Sequence, residues 1–151
     1  MNLNNILNKE LCCILEEKRK NEALIKLIDN ICAVYSMDEN LAENITKNIF
    51  YREQLMSTGI GLGIAIPHIR MEGVKGPILA VGVSKSGIDD YESIDDEIIR
   101  VIVMILVGKD QHKQHIRLLS MIVSLLKQED LKKALIDSAD GNHIYKVLTG
   151  K

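Results

Sequence analysis

The segment Ser57-Thr58-Gly59-Ile60-Gly61-Leu62-Gly63-Ile64-Ala65-Ile66-Pro67-His68 joins two hydroxyls, a flexible glycine loop and an apolar stretch that delivers an imidazole at its end. Two nucleotide signatures fail here: the glycines run GxGxG rather than GxGxxG, and no Lys-Ser/Thr pair closes the loop. What remains is a set of backbone N–H groups and hydroxyls able to approach an anion. Beside them stands an imidazole that is largely neutral at pH 7, with a lone pair that can act as a nucleophile. Taken alone, a histidine after a proline is more often structural than nucleophilic.

Other reactive residues carry plain readings of their own. His115 falls on the apolar stripe of a predicted helix, where a satisfied, partly buried histidine is the usual case. Arg52, next to Glu53, reads by itself as one half of a surface ion pair. His112 and His115 have helical i,i+3 spacing but no accompanying Cys, Asp or Glu set, so no metal site and no cofactor is expected. Cys12 and Cys13 point to opposite faces of any strand that contains them. His143, beside Gly141 and Asn142, reads as a helix-start turn. Asp89, Asp90, Asp95, Asp96 and Glu97 lack the spacing of a calcium loop and read as a solvated turn.

The elements that must position these groups follow from length and periodicity. The chain has 151 residues, 46% hydrophobic, a length that predicts one domain over 1–151 with a core needing no disulfide or metal. Only four Tyr and one Phe are present, so the core is aliphatic and no base-stacking platform is apparent. With 19 Lys and Arg against 21 Asp and Glu, nucleic acid is not an expected partner. The apolar run Val101 to Val107 is far too short to span a bilayer, so no direct membrane insertion is expected. The absence of a signal-peptide pattern and of a disulfide framework points to a reducing, cytoplasmic protein.

A strand is predicted over 11–15, then a helix capped by Asn21 that ends near Met37. A second helix is capped by Asp38, with Leu41, Ile45, Ile49 and Phe50 on its buried stripe. The glycines of 57–63 predict a loop, followed by a strand at Ile64 to Ile66. Further strands are expected over 78–83 and 100–107, with the turn-prone stretch Gly87 to Glu97 between them. His115, Leu118, Leu119, Ile122, Leu125 and Leu126 form one helical stripe, and shorter helices follow at 131–136 and 144–148. The expected fold class is α+β, with three layers α/β/α around a central mixed sheet, in the order β-αα-βββ-ααα.

STGIGLGIAIPH resembles the active-site segment of the fructose/mannitol-type enzyme IIA domains of the bacterial phosphoenolpyruvate-dependent sugar phosphotransferase system. The likeness extends to Arg52-Glu53, to His115-Ile116-Arg117-Leu118-Leu119-Ser120 and to the order of elements. The resemblance implies that His68 accepts a phosphoryl group from the phosphohistidine of a small histidine phosphocarrier protein. It then passes the group to a IIB component linked to a membrane IIC permease. By the same resemblance His115 is the second active-site histidine and Arg52 offsets phosphoryl charge. Ser57, Thr58 and Gly59 are candidate phosphate contacts, although these hydroxyls could equally cap the turn before the strand. A regulatory phospho-acceptor of the nitrogen-related type is the alternative, and a non-covalent anion-binding domain is a third reading. Ile69 stands where the family often has Gly after the Pro-His pair, and Gly108 where it often has Pro.

Overall fold

A computed structural model describes residues 3–150 of the chain. After short 3-10 turns at Leu3–Asn5 and Lys9–Leu11, the order is β1 (Cys12–Ile14), α1 (Lys20–Val34), α2 (Glu39–Leu55), β2 (Gly59–Gly61) and β3 (Ile64–Ala65). It continues with β4 (His68–Met71), β5 (Ile78–Ile88), β6 (Ile99–Gly108), α3 (His112–Leu126), α4 (Glu129–Ile136) and α5 (Gly141–Thr149).

The six strands form one mixed sheet in the order β1-β5-β6-β3-β2, with β4 also paired to β6. The central strand explains the apolar run seen in the sequence. Ile102, Met104 and Leu106 of β6 enter a cluster with Leu24, Leu27 and Ile31 of α1 and Ile45 and Ile49 of α2. Val101, Val103, Ile105 and Val107 point to the other face, against Leu118 and Ile122 of α3, Leu135 of α4 and Ile144 of α5. A strand buried on both faces has no polar alternation to show, because every position meets a helix layer. The expected three layers and mixed sheet are therefore observed. Cys12 and Cys13 part between the same two clusters, as strand alternation requires. Among the described residues no helix is long and apolar enough to cross a membrane.

Three strands were expected between the helical blocks, and five are present. β5 runs on to Ile88, past the predicted end at 83. The glycine segment is not simply a loop: β2 and β3 pair antiparallel, with Gly59 opposite Ala65 and Gly61 opposite Ile64. The turn between them holds Leu62 and Gly63 at φ 60° and 78°. Gly59 has no room for a side chain, because a Cβ there would strike the Glu92 carbonyl and Ser93. These glycines thus serve a tight hairpin and a close backbone approach, which masks the strand from a pattern based on side chains.

β3 and β4 are two pieces of one path along β6. Ile64 and Ala65 pair parallel with Val101 and Ile102, and the pairing resumes at His68 opposite Ile105. Pro67, with no N–H to donate, divides the two, while its carbonyl still accepts from the Ile105 N–H at 2.9 Å. His68 is the residue at which the ladder restarts.

The helix starts divide similarly. Asp38 caps α2 as expected, accepting from the Leu41 N–H at 2.8 Å. Asn21 does not cap α1, which begins one residue earlier and has no capping side chain of its own. Asp90, 70 positions away, accepts from the Lys20 N–H at 2.7 Å and pairs with Arg19 at 3.4 Å. The acidic stretch expected to be merely solvated therefore supplies a cap from a distance.

Candidate functional site

His68 is half-buried at the start of β4, and its Nδ1 lies 2.5 Å from the Ile66 carbonyl oxygen. A carbonyl only accepts, so Nδ1 carries the proton and the ring is held as the tautomer with its lone pair on Nε2. His115, also half-buried, stands in the first turn of α3. The two rings meet edge to face, with centroids 5.1 Å apart and planes at 72°.

Both imidazoles are held neutral. Burial lowers the pKa of His68, the Arg52 charge adds to this, and the Ile66 bond and Glu53 carboxylate oppose it. His115 is pushed down to about 4, first by burial and then by His68, Arg70 and His112. The rings face a cleft of about 650 Å³ that Tyr51, Arg52 and Leu55 of α2, Arg70 of β4 and Lys109 also line. Arg52, Arg70 and Lys109 bring three positive charges, and among the described residues no carboxylate lines the cleft. A neutral nucleophilic nitrogen among cations suits an anionic electrophile.

Neighbouring residues in the last turn of α2 face different ways. Arg52 lines the cleft, with Nη1 donating to the Met56 carbonyl at 2.7 Å. Glu53, 7% exposed, turns into the protein. Its carboxylate accepts from the Thr58 N–H at 3.2 Å and the Thr58 hydroxyl at 2.6 Å, and meets Lys20 Nζ at 3.2 Å. Since Thr58 gives its one hydroxyl hydrogen to Glu53, the Tyr91 hydroxyl 2.8 Å away must donate to Thr58 Oγ1. Burial, followed by the Glu53 charge, raises the Tyr91 pKa and keeps that proton in place.

His68, His115 and Arg52 thus come together, whereas Ser57, Thr58 and Gly59 do not line the cleft. Ser57 Oγ donates to the Glu92 carbonyl at 2.6 Å, and Thr58 is committed to Glu53 and Tyr91. Their polar groups satisfy the turn and the interior, which is the structural side of the alternative posed by the sequence. Arg70 and Lys109 escaped the sequence reading. A signal for Arg70 existed, since residues i and i+2 share a strand face and Arg70 follows His68 by two. Among the described residues, no group of three His, Cys, Asp or Glu side chains could hold a metal ion.

The family model for the phosphoenolpyruvate-dependent sugar phosphotransferase system, EIIA 2, matches residues 5–151. The chain belongs to this EIIA type-2 family. The fructose-specific EIIABC component of Bacillus subtilis is 31% identical to this EIIA domain over 134 residues, 89% of this chain and 21% of that protein. The chain thus spans about a fifth of that relative's length. A nitrogen regulatory protein of Pseudomonas aeruginosa is 32% identical over 107 residues, 71% of this chain and 69% of its own. The crystal structure of nitrogen regulatory protein IIA-Ntr from Neisseria meningitidis superposes with a TM-score of 0.86, covering 97% of this chain and 99% of that one at 23% identity, so the fold is shared.

The depressed His115 gives this EIIA domain an acid sensitivity of known sign. Between about 4 and the ordinary value of 6.5, the unfolded chain binds a proton that the folded one refuses. Stability therefore rises with pH through that window, and the contribution is lost as pH falls toward 4. His115→Gln should lose less stability than the parent between pH 7 and pH 4.5 in urea titrations. Equal losses would mean that His115 titrates normally in the folded protein.

Proposed function

We propose that this EIIA domain, acting as one unit over 1–151 in the cytoplasm, is a phosphocarrier that holds a phosphoryl group on His68. The single observation carrying this reading is the His68 tautomer, fixed by the Ile66 carbonyl with the lone pair on Nε2. Nε2 attacks the phosphorus of a donor phosphohistidine on a histidine phosphocarrier protein. An N–P bond forms on His68, the donor N–P bond breaks, and its electron pair stays on the donor imidazole. The reverse sequence delivers the group to a IIB component coupled to a IIC permease. Membership of the EIIA family and a relative named as an EIIABC component support this assignment of partners.

The deciding experiment supplies phosphoenolpyruvate, enzyme I and the histidine carrier protein, maps the phosphoryl group, and then adds IIB. Labelling of His68 followed by discharge to IIB supports sugar transport. The similarity to nitrogen regulatory proteins favours a second reading, a regulatory phospho-acceptor. In that case His68 is labelled but IIB does not discharge it. Absence of label rejects both.

Arg52 is the cation best placed to offset the incoming charge, since it already acts on His68 electrostatically. A guanidinium presents paired planar donors to phosphoryl oxygens, and an ammonium only a compact charge. Arg52→Ala should slow labelling by roughly 10²- to 10³-fold, the usual consequence of removing one charge-stabilising donor. Arg52→Lys should recover part of that loss. Wild-type rates with both partners in Arg52→Ala would reduce Arg52 to a helix-end cap.

A further inference from the structure

Gln111 is the residue before α3, at φ −102° and ψ 39°, and its side chain makes no cap to that helix. It turns back onto the sheet instead. Oε1 accepts from the Gly108 N–H at 2.5 Å and the Gly76 N–H at 3.2 Å, while Nε2 donates to the Gly76 carbonyl at 2.6 Å. One amide therefore joins the end of β6 to the segment entering β5.

The two glycines make this junction possible. A Cβ on Gly108 would lie 2.8 Å from the Val74 carbonyl oxygen and 2.9 Å from Gln111 Oε1. A Cβ on Gly76 would run into the Leu106 carbonyl of β6. The main chain of Gln111 completes the link: its N–H donates to the Gly108 carbonyl at 3.0 Å, and its carbonyl accepts from the His115 N–H at 2.9 Å. In place of a capping bond to α3, the Gln111 side chain is held by the backbone at the sheet's end.

We infer that Gln111 is a positioning residue that sets the first turn of α3, and with it His115, against the β6 register that carries His68. His68 is fixed by its pairing with Ile105 of β6, whereas His115 arrives on another element, and Gln111 ties the start of that element to Gly108 at the end of β6 and to Gly76. The inference rests on the reading of His68 as phosphoryl acceptor, and it extends that reading to a residue outside the cleft lining. Misplacing a supporting group by about an ångström is enough to slow a transfer tenfold or more.

The test compares Gln111→Met, which keeps the length and loses all three side-chain bonds, with Gln111→Glu, which keeps the two acceptor bonds. The maximal rate of His68 labelling at saturating donor should fall about tenfold in Gln111→Met, with the half-saturating donor concentration within about twofold. Nuclear Overhauser contacts between the two imidazoles should weaken in parallel, and Gln111→Glu should restore both measures in part. Unchanged ring contacts and rate in Gln111→Met would overturn the inference. So would a rate loss that only follows the folded fraction. Failure of the parent to accept phosphate would instead reject the acceptor reading, while the ring contacts would still decide the role of Gln111.

Discussion

His68→Gln should abolish phosphoryl labelling and leave the fold in place. Glutamine retains an N–H that can donate to the Ile66 carbonyl, so the interior bond at 2.5 Å has a replacement. What it lacks is a basic nitrogen lone pair on the cleft side. The nearby hydroxyls of Ser57 and Thr58 are no substitute, because they spend their hydrogens on the Glu92 carbonyl and the Glu53 carboxylate. The adduct on the parent protein should be destroyed by acid and survive alkali, as a phosphoramidate does. Radiolabel incorporation before and after each treatment reads this directly. An acid-stable ester, or label remaining in His68→Gln, would move the acceptor elsewhere.

Glu53→Ala should lower stability by about 3–5 kcal/mol, the cost typical of breaking a buried ion pair by removing one partner. The substitution leaves Lys20 without its carboxylate at 3.2 Å. It also takes the acceptor from the Thr58 hydroxyl, on which Tyr91 depends in turn. Among the described residues Lys20 Nζ then keeps the face of the Tyr91 ring, 4.5 Å away. The pair Lys132–Glu129, one turn of helix apart with Glu129 exposed, provides the contrast. Glu129→Ala should cost less than about 0.5 kcal/mol. Guanidinium titrations compare the two, and a Glu53→Ala loss below about 1 kcal/mol would show that water or a shifted side chain rescues the network.

How much of this was legible in the sequence depends on the range over which each signal acts. The stripes of α1 to α5, the Asp38 cap and the apolar run of β6 are local, so spacing revealed them. The pairing of His68 with His115 spans 47 positions, and only the family resemblance linked them. Glu53 looked like a surface partner for Arg52 because adjacent residues are read together. On a helix, however, they point about 100° apart, so one reaches the cleft and the other the core. Thr58 looked available for phosphate because its partners come from Glu53, five positions back inside α2, and from Tyr91 on a distant loop. The Asp90 cap on Lys20 was hidden for the same reason. Strands β2 and β4 were missed because glycine and proline conceal a ladder made by backbone alone.

The bond from His68 Nδ1 to the Ile66 carbonyl bears on how readily a bound group leaves again. A phosphoryl group on Nε2 of a ring that keeps its Nδ1 proton makes the imidazole cationic, and a cationic imidazole departs as a neutral molecule. The Ile66 oxygen, fixed beside Pro67, favours that proton without accepting it outright. Were the proton lost to solvent, the leaving group would be an imidazolate, far too basic to be expelled easily. In the proposed adduct on His68, a main-chain carbonyl would thus keep the group-transfer potential high, so that transfer would run in either direction according to which partner is charged.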